Sequence, residues 1–179
     1  MSFYIKRSLR LIIFSLVTLT GAFYFSADAD AAESVVLKYK FLRGSVSVPE
    51  LVTFANTGEL SNSLKSYLRL AGREPEELRR VLTQEVKVNP NLLSGLLNSP
   101  VGEVMLDQVS EVVHTPSNRA NRESLRGALV SSALSEGRIT LIETWDNYPT
   151  PEVHVEGDRL VEVAQKFRDL FERLPNLGF

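Results

Sequence analysis

Apolar positions along this chain recur mostly at helical spacing, and only a few short stretches alternate. Val35 to Phe41 alternates loosely and is rich in strand formers, Arg43-Gly44 is a turn signal, and Ser45 to Val48 reads as a second short strand. Together they predict a small β-hairpin, which is marginal alone in water and must lie against helices. Ser47-x-x-Glu50 has capping-box spacing with Pro49 in the first turn, and Gly58 stops a helix carrying Leu51, Phe54 and Ala55. Ser61 caps a second helix with Leu64, Tyr67, Leu68 and Ala71 on one face, and Pro75 opens a third with Leu78, Val81 and Leu82. Asn89-Pro90 and Ser99-Pro100 share one signature, a capping side chain followed by a proline that has no amide hydrogen to leave unpaired.

After Ser99-Pro100, Val101, Val104, Met105, Val109, Val112 and Val113 fall at helical spacing and predict a core-facing stripe that Thr115-Pro116 ends. Arg122 to Glu136 predicts a further helix, with Leu125, Ala128, Leu129 and Ala133 inward and Gly137 as its stop. Thr140-x-x-Glu143 is a second capping box, opening a short helix with Leu141, Ile142 and Trp145 before Pro149 and Pro151. Val153 to Val155 is a candidate third strand able to pair with the hairpin. Leu160, Val161, Ala164, Phe167, Leu170, Phe171 and Leu174 mark a last amphipathic helix, whose polar face mixes acids with bases and so suits a core helix better than a membrane-surface one. The fold class expected is mainly α: a compact multi-helix domain with a small N-terminal hairpin, joined by a third short strand.

Residues 1–31 read differently. Lys6, Arg7 and Arg10 precede an uncharged run from Leu11 to Phe25, and Ala29-Asp30-Ala31 offers the small residues of a cleavage site. The expectation is a secretory signal peptide over 1–31 and one domain over 32–179. The alternative is an uncleaved anchor, since the uncharged run to Ala27 just reaches the length that crosses a bilayer. Contact with a membrane is expected only through an uncleaved leader. Three of the 20 basic and two of the 22 acidic residues lie in that leader, leaving a mildly acidic remainder with 17 against 20. Such a balance lacks the basic stripe that phosphate neutralisation needs, so nucleic acid is not an expected partner.

The chain has no cysteine, which removes disulfides, thiolate metal sites and cysteine nucleophiles together. Neither a Gly-x-Ser-x-Gly elbow nor a glycine-rich phosphate loop occurs. No catalytic, cofactor or metal residue is therefore assigned. His114, ahead of Thr115-Pro116, reads as a histidine at a helix C-terminus, and His154, between Val153 and Val155, as a solvent-facing strand histidine. Glu143 and Asp146 beside Trp145 and Tyr148 resemble a sugar site, but Glu143 is already explained by its cap. Trp145 and Tyr148 remain as candidates for an interaction surface, where large amphipathic aromatics are enriched.

Several blocks carry a family resemblance. Val36-Leu37-x-Tyr39, followed by Val46-x-Val48-x-x-Leu51-x-x-Phe54-Ala55-x-Thr57-Gly58-Glu59, resembles the start of the DUF1400 domain, and Pro100-Val101-Gly102, Thr115-Pro116-Ser117, Leu125-Arg126-x-Ala128-Leu129 and Pro149-Thr150-Pro151-x-Val153-x-Val155 extend the likeness. In the cyanobacterial proteins associated with that family, the domain lies between a signal peptide and an α/β-hydrolase domain. The resemblance implies an exported helical accessory domain standing alone, in the periplasm or thylakoid lumen, with no triad residue to carry over. The expected role is non-catalytic: docking to, or regulation of, a protein partner such as a separate hydrolase. The alternative is a binder of a lipid or other small apolar ligand, with a hydrolase-like enzyme as a distant third.

Overall fold

The computed structural model describes residues 31–159. The expected leader and the amphipathic stripe from Leu160 to Leu174 lie outside the described residues, apart from Ala31 at the leader's end. Strands β1 (Ser34–Tyr39) and β2 (Leu42–Ser47) form the hairpin, and helices α1 (Val48–Thr57), α2 (Asn62–Ala71) and α3 (Pro75–Thr83) follow it. The two-residue strand β3 (Val86–Lys87) leads to α4 (Pro90–Leu97), α5 (Pro100–Ser110) and β4 (Val113–His114). Then come α6 (Asn121–Glu136), β5 (Arg138–Ile139), α7 (Leu141–Asp146) and β6 (Glu152–Glu156). The domain is mainly α, as the spacing of apolar residues predicts.

Most helix ends sit where their capping residues place them. Ser47, Ser61 and Ser99 accept from the backbone N–H three residues on, Asn89 accepts from Asn91 and Leu92, and Gly58 and Gly137 close α1 and α6 in the left-handed conformation. The Thr140–Glu143 box is reciprocal, whereas Glu50 leaves its box half made and accepts from Ser63 Oγ at 2.7 Å. Glu50 therefore ties α1 to α2 instead of closing its own cap.

The third strand is present and joins a sheet of order β2-β1-β6-β4. β6 runs parallel to β1, with Val35 opposite Val153 and Val36 opposite His154, and antiparallel to β4, with Val113 opposite Val155. The inward side chains Val35, Val46, Val113, Val153 and Val155 join the helical core around Phe54, Leu82, Leu97 and Leu106. A second ribbon pairs β3 with β5.

Three expectations need correction. The hairpin turns at Lys40-Phe41, with Lys40 at φ 53°, and not at Arg43-Gly44. Gly44 lies inside β2 because a Cβ there would come within 2.7 Å of the Tyr67 ring, so close packing explains this glycine. The valine stripe holds only in its second half: Val109, Val112 and Val113 are buried, but Val101 and Val104 are 62% and 59% exposed, and the buried face of α5 is Gly102, Leu106, Val109 and Ser110. Gly102 packs against the C-terminal end of α4, where a Cβ would stand 2.0 Å from Leu96 O, and this contact sets the rotation of the helix. Finally, α5 ends at Ser110, so His114 belongs to a strand and not to a helix terminus.

Candidate functional site

Two places gather polar or apolar groups beyond what packing needs: the outer face of the sheet, and a cavity beneath its inner face. On the outer face, the pairing of β4 with β6 sets His114 against His154, with ring centroids 5.4 Å apart at an interplanar angle of 67°. His114 Nδ1 lies 2.9 Å from Thr115 O, and a carbonyl only accepts, so Nδ1 carries the proton. His154 Nε2 lies 3.2 Å from a Glu152 carboxylate oxygen, and His114 Nε2 lies 3.5 Å from Glu156 Oε1. Lys38 donates to the same Glu156 oxygen at 2.5 Å, and chiefly for that reason the Glu156 carboxyl stays below its ordinary range, with His114 adding to the effect. Alternation does turn His154 away from Val153 and Val155, but the residue is buried, which corrects the solvent-facing expectation. Among the described residues, no group of three or more histidines, aspartates and glutamates is arranged to hold a metal ion.

The cavity occupies about 440 Å³ between the inner face of the hairpin and the helices. Such a volume falls within the ~300–1,000 Å³ usual for small-molecule sites. Val35, Leu37 and Val46 cover it from the sheet, because strand alternation points these positions to one face. Leu51, Leu64, Leu68, Leu78 and Val81 reach it from α1, α2 and α3 at helical spacing. Leu125 and Leu129 of α6 and Trp145 of α7 line its buried end. Exposed and half-buried groups frame the other end: Tyr39, Leu42, Tyr67, Arg73 and Glu77. There Arg73 donates to Tyr39 Oη and to Glu77 Oε1, each at 3.1 Å, which raises the guanidinium pKa.

Trp145 and Tyr148, expected on an interaction surface, are both buried, Trp145 at 4% exposure, and neither belongs to an outer surface of this domain. Trp145 lines the cavity instead, and Tyr148 sits in the core. The indole N–H of Trp145 and the hydroxyl of Tyr148 have no hydrogen-bond partner among the described residues, and burial pushes the Tyr148 phenol pKa up. A backbone bond at 2.9 Å closes the turn from Tyr148 to Thr150, and Pro151 O accepts from the Glu33 and Ser34 N–H groups, which ties this segment to the start of β1. Glu143 is held by its cap and by Arg138 at 3.1 Å, so the carboxylate of the supposed sugar site is already engaged. Apolar periodicity reads the cavity-lining residues simply as core, because facing a neighbour and facing a void leave the same sequence pattern. Gly44 is the one local hint, a strand glycine that admits the Tyr67 ring against the sheet.

A family model described as an alpha/beta hydrolase of unknown function (DUF1400) matches residues 31–156. No curated protein and no solved structure matches the chain.

Proposed function

This chain belongs to the DUF1400 family, and from that premise we propose that the described domain is a non-catalytic module that takes up a small apolar molecule or acyl chain in the cavity beneath its hairpin. The single observation that carries this reading is the 440 Å³ cavity itself, lined almost wholly by carbon side chains from the hairpin and six helices. A void of that size forfeits packing contacts along its whole lining, and filling it with an apolar ligand recovers them. Each methylene transferred from water contributes about 0.8 kcal/mol.

The family's hydrolase description suggests acyl chemistry but names no residue of this chain. The absence of a Gly-x-Ser-x-Gly elbow from the sequence supports binding over turnover. A second reading, docking to a protein partner such as a hydrolase, is favoured by Val101 and Val104, two apolar side chains turned outward from α5. Either role fits an exported protein of the periplasm or thylakoid lumen, which the leader-like sequence of residues 1–31 supports.

Trp145 is the sole tryptophan of the chain and lines the cavity, so its emission reports on occupancy. Titration with a dibrominated fatty acid, below its micelle concentration and without vesicles, is expected to quench Trp145 saturably at one ligand per chain. Absence of quenching would overturn the binding reading. Hydrolysis of short-chain acyl esters that a single serine substitution abolishes would overturn the non-catalytic one.

A further inference from the structure

Phe41 is 90% exposed, an unusual position for a phenylalanine, and it stands at the tip of the β1–β2 hairpin next to Lys40. A large ring at a turn gains nothing from water and is not needed to make the turn, since Lys40 takes the positive φ. Basic residues surround it: Lys40 before it and Arg43 two residues after it, both exposed. Helix α2 runs alongside. Tyr67 packs on Gly44 and Arg73, just past the helix end, bonds Tyr39, so Leu70, three residues from each of these two contacts and 66% exposed, lies on the hairpin side of the last turn. Three carboxylates lie nearby: Glu77 pairs with Arg73 at 3.1 Å, Glu156 pairs with Lys38 at 2.5 Å, and Asp158 accepts at 2.7 Å from the uncharged backbone N–H of Lys40.

We propose that this tip is a membrane-docking surface, with Phe41 and Leu70 entering the acyl boundary of an anionic bilayer while Lys40 and Arg43 sit among the headgroups. Apolar side chains ringed by lysine and arginine are how a peripheral protein combines burial with attraction to anionic lipid. Charge decides for a bilayer over a neutral apolar partner, because Lys40 and Arg43, both exposed, outnumber Asp158, while Glu77 and Glu156 each pair with another cation. Placement adds to the case: Tyr39 and Leu42, either side of the tip, also frame the open end of the cavity. Docking by Phe41 therefore sets the cavity mouth against the lipid, where an apolar ligand can pass without crossing water. The surface is separate from any contact made through an uncleaved leader.

The lack of cysteine allows site-specific labelling of the full chain. Phe41→Cys carries the environment-sensitive fluorophore NBD at the tip, and Leu134→Cys carries it at an exposed apolar position on α6. Vesicles of phosphatidylcholine with phosphatidylglycerol are expected to shift NBD emission at position 41 to the blue and to make it accessible to bilayer-embedded quenchers. The label at position 134 is expected to stay at its aqueous maximum. Adding Lys40→Gln or Arg43→Gln to the labelled tip is expected to raise the lipid concentration at half-signal about fivefold each, and pure phosphatidylcholine more than either. Because the readout is local, membrane attachment through the leader does not imitate it. An aqueous signal at position 41 in vesicle-bound chain, a like response at both positions, or an equal response to pure phosphatidylcholine each overturns the proposal.

Discussion

Three helical glycines of this domain allow the same substitution to be made with opposite expected signs. At Gly102 in α5, an added Cβ would stand 2.0 Å from Leu96 O and 2.7 Å from Leu97 Cα, against an ordinary contact distance of 3.4 Å or more. The atoms it meets are backbone, so no side chain can swing aside, and α4 and α5 would have to part by roughly 1.4 Å at their closest point. Overpacking of this kind costs about 1–3 kcal/mol, with a backbone collision at the upper end. Alanine returns up to about 1 kcal/mol through helix propensity, so Gly102→Ala is expected to lose about 2 kcal/mol net. At Gly95 in α4 and Gly127 in α6, nothing lies within 4 Å of the added carbon. Alanine there keeps the propensity gain of about 0.5–1 kcal/mol without a collision. Urea denaturation of Gly102→Ala and Gly127→Ala should therefore separate the two by about 3 kcal/mol, or roughly 6–12 °C in Tm for a chain of this size. A Gly102→Ala midpoint equal to that of Gly127→Ala, with an unchanged slope, would refute the claim that this glycine sets the phase of α5.

Tyr148→Phe deletes a buried hydroxyl without a partner among the described residues and is expected to be neutral or stabilising by about 1 kcal/mol in the same urea assay. A clear loss would mean that the hydroxyl is bonded. Thr140→Ala removes the acceptor for the Glu143 N–H at 3.2 Å and the hydroxyl bonded to the Glu143 carboxylate at 2.8 Å, and should cost about 1–2 kcal/mol. Glu156 has a folded-state pKa below its ordinary value of 4.5, so its stabilising contribution is complete above that value and is lost as pH falls through the depressed one. Glu156→Gln should therefore cost up to about 1 kcal/mol at neutral pH, with the gap to the parent closing as pH is lowered below 4.5. A gap independent of pH over that window would place the effect outside the Lys38–Glu156 pair.

Local chemistry decided much of this protein without reference to the rest of the chain. Ser47, Ser61, Asn89, Ser99 and Thr140 begin helices because a side-chain oxygen three residues or fewer from an unpaired N–H satisfies it wherever the helix ends up. Gly58 and Gly137 end helices because they take positive φ at no steric cost. The mainly helical class, the hairpin and the strand that joins it follow from such signals and from apolar spacing. Pairings across long stretches of chain decided the remainder. The register of β4 on β6 sets His154 against His114, and the bonds from Glu33 and Ser34 N–H to Pro151 O tie the segment after Tyr148 to the start of β1; neither contact leaves a local pattern. The cavity is of the same kind. Leu64, Leu125 and Trp145 are apolar for the reason any core residue is apolar, and only the distance at which the hairpin is held from α6 and α7 determines that they face a void. Periodicity reports that a side chain leaves water, and tertiary structure alone determines what it meets there.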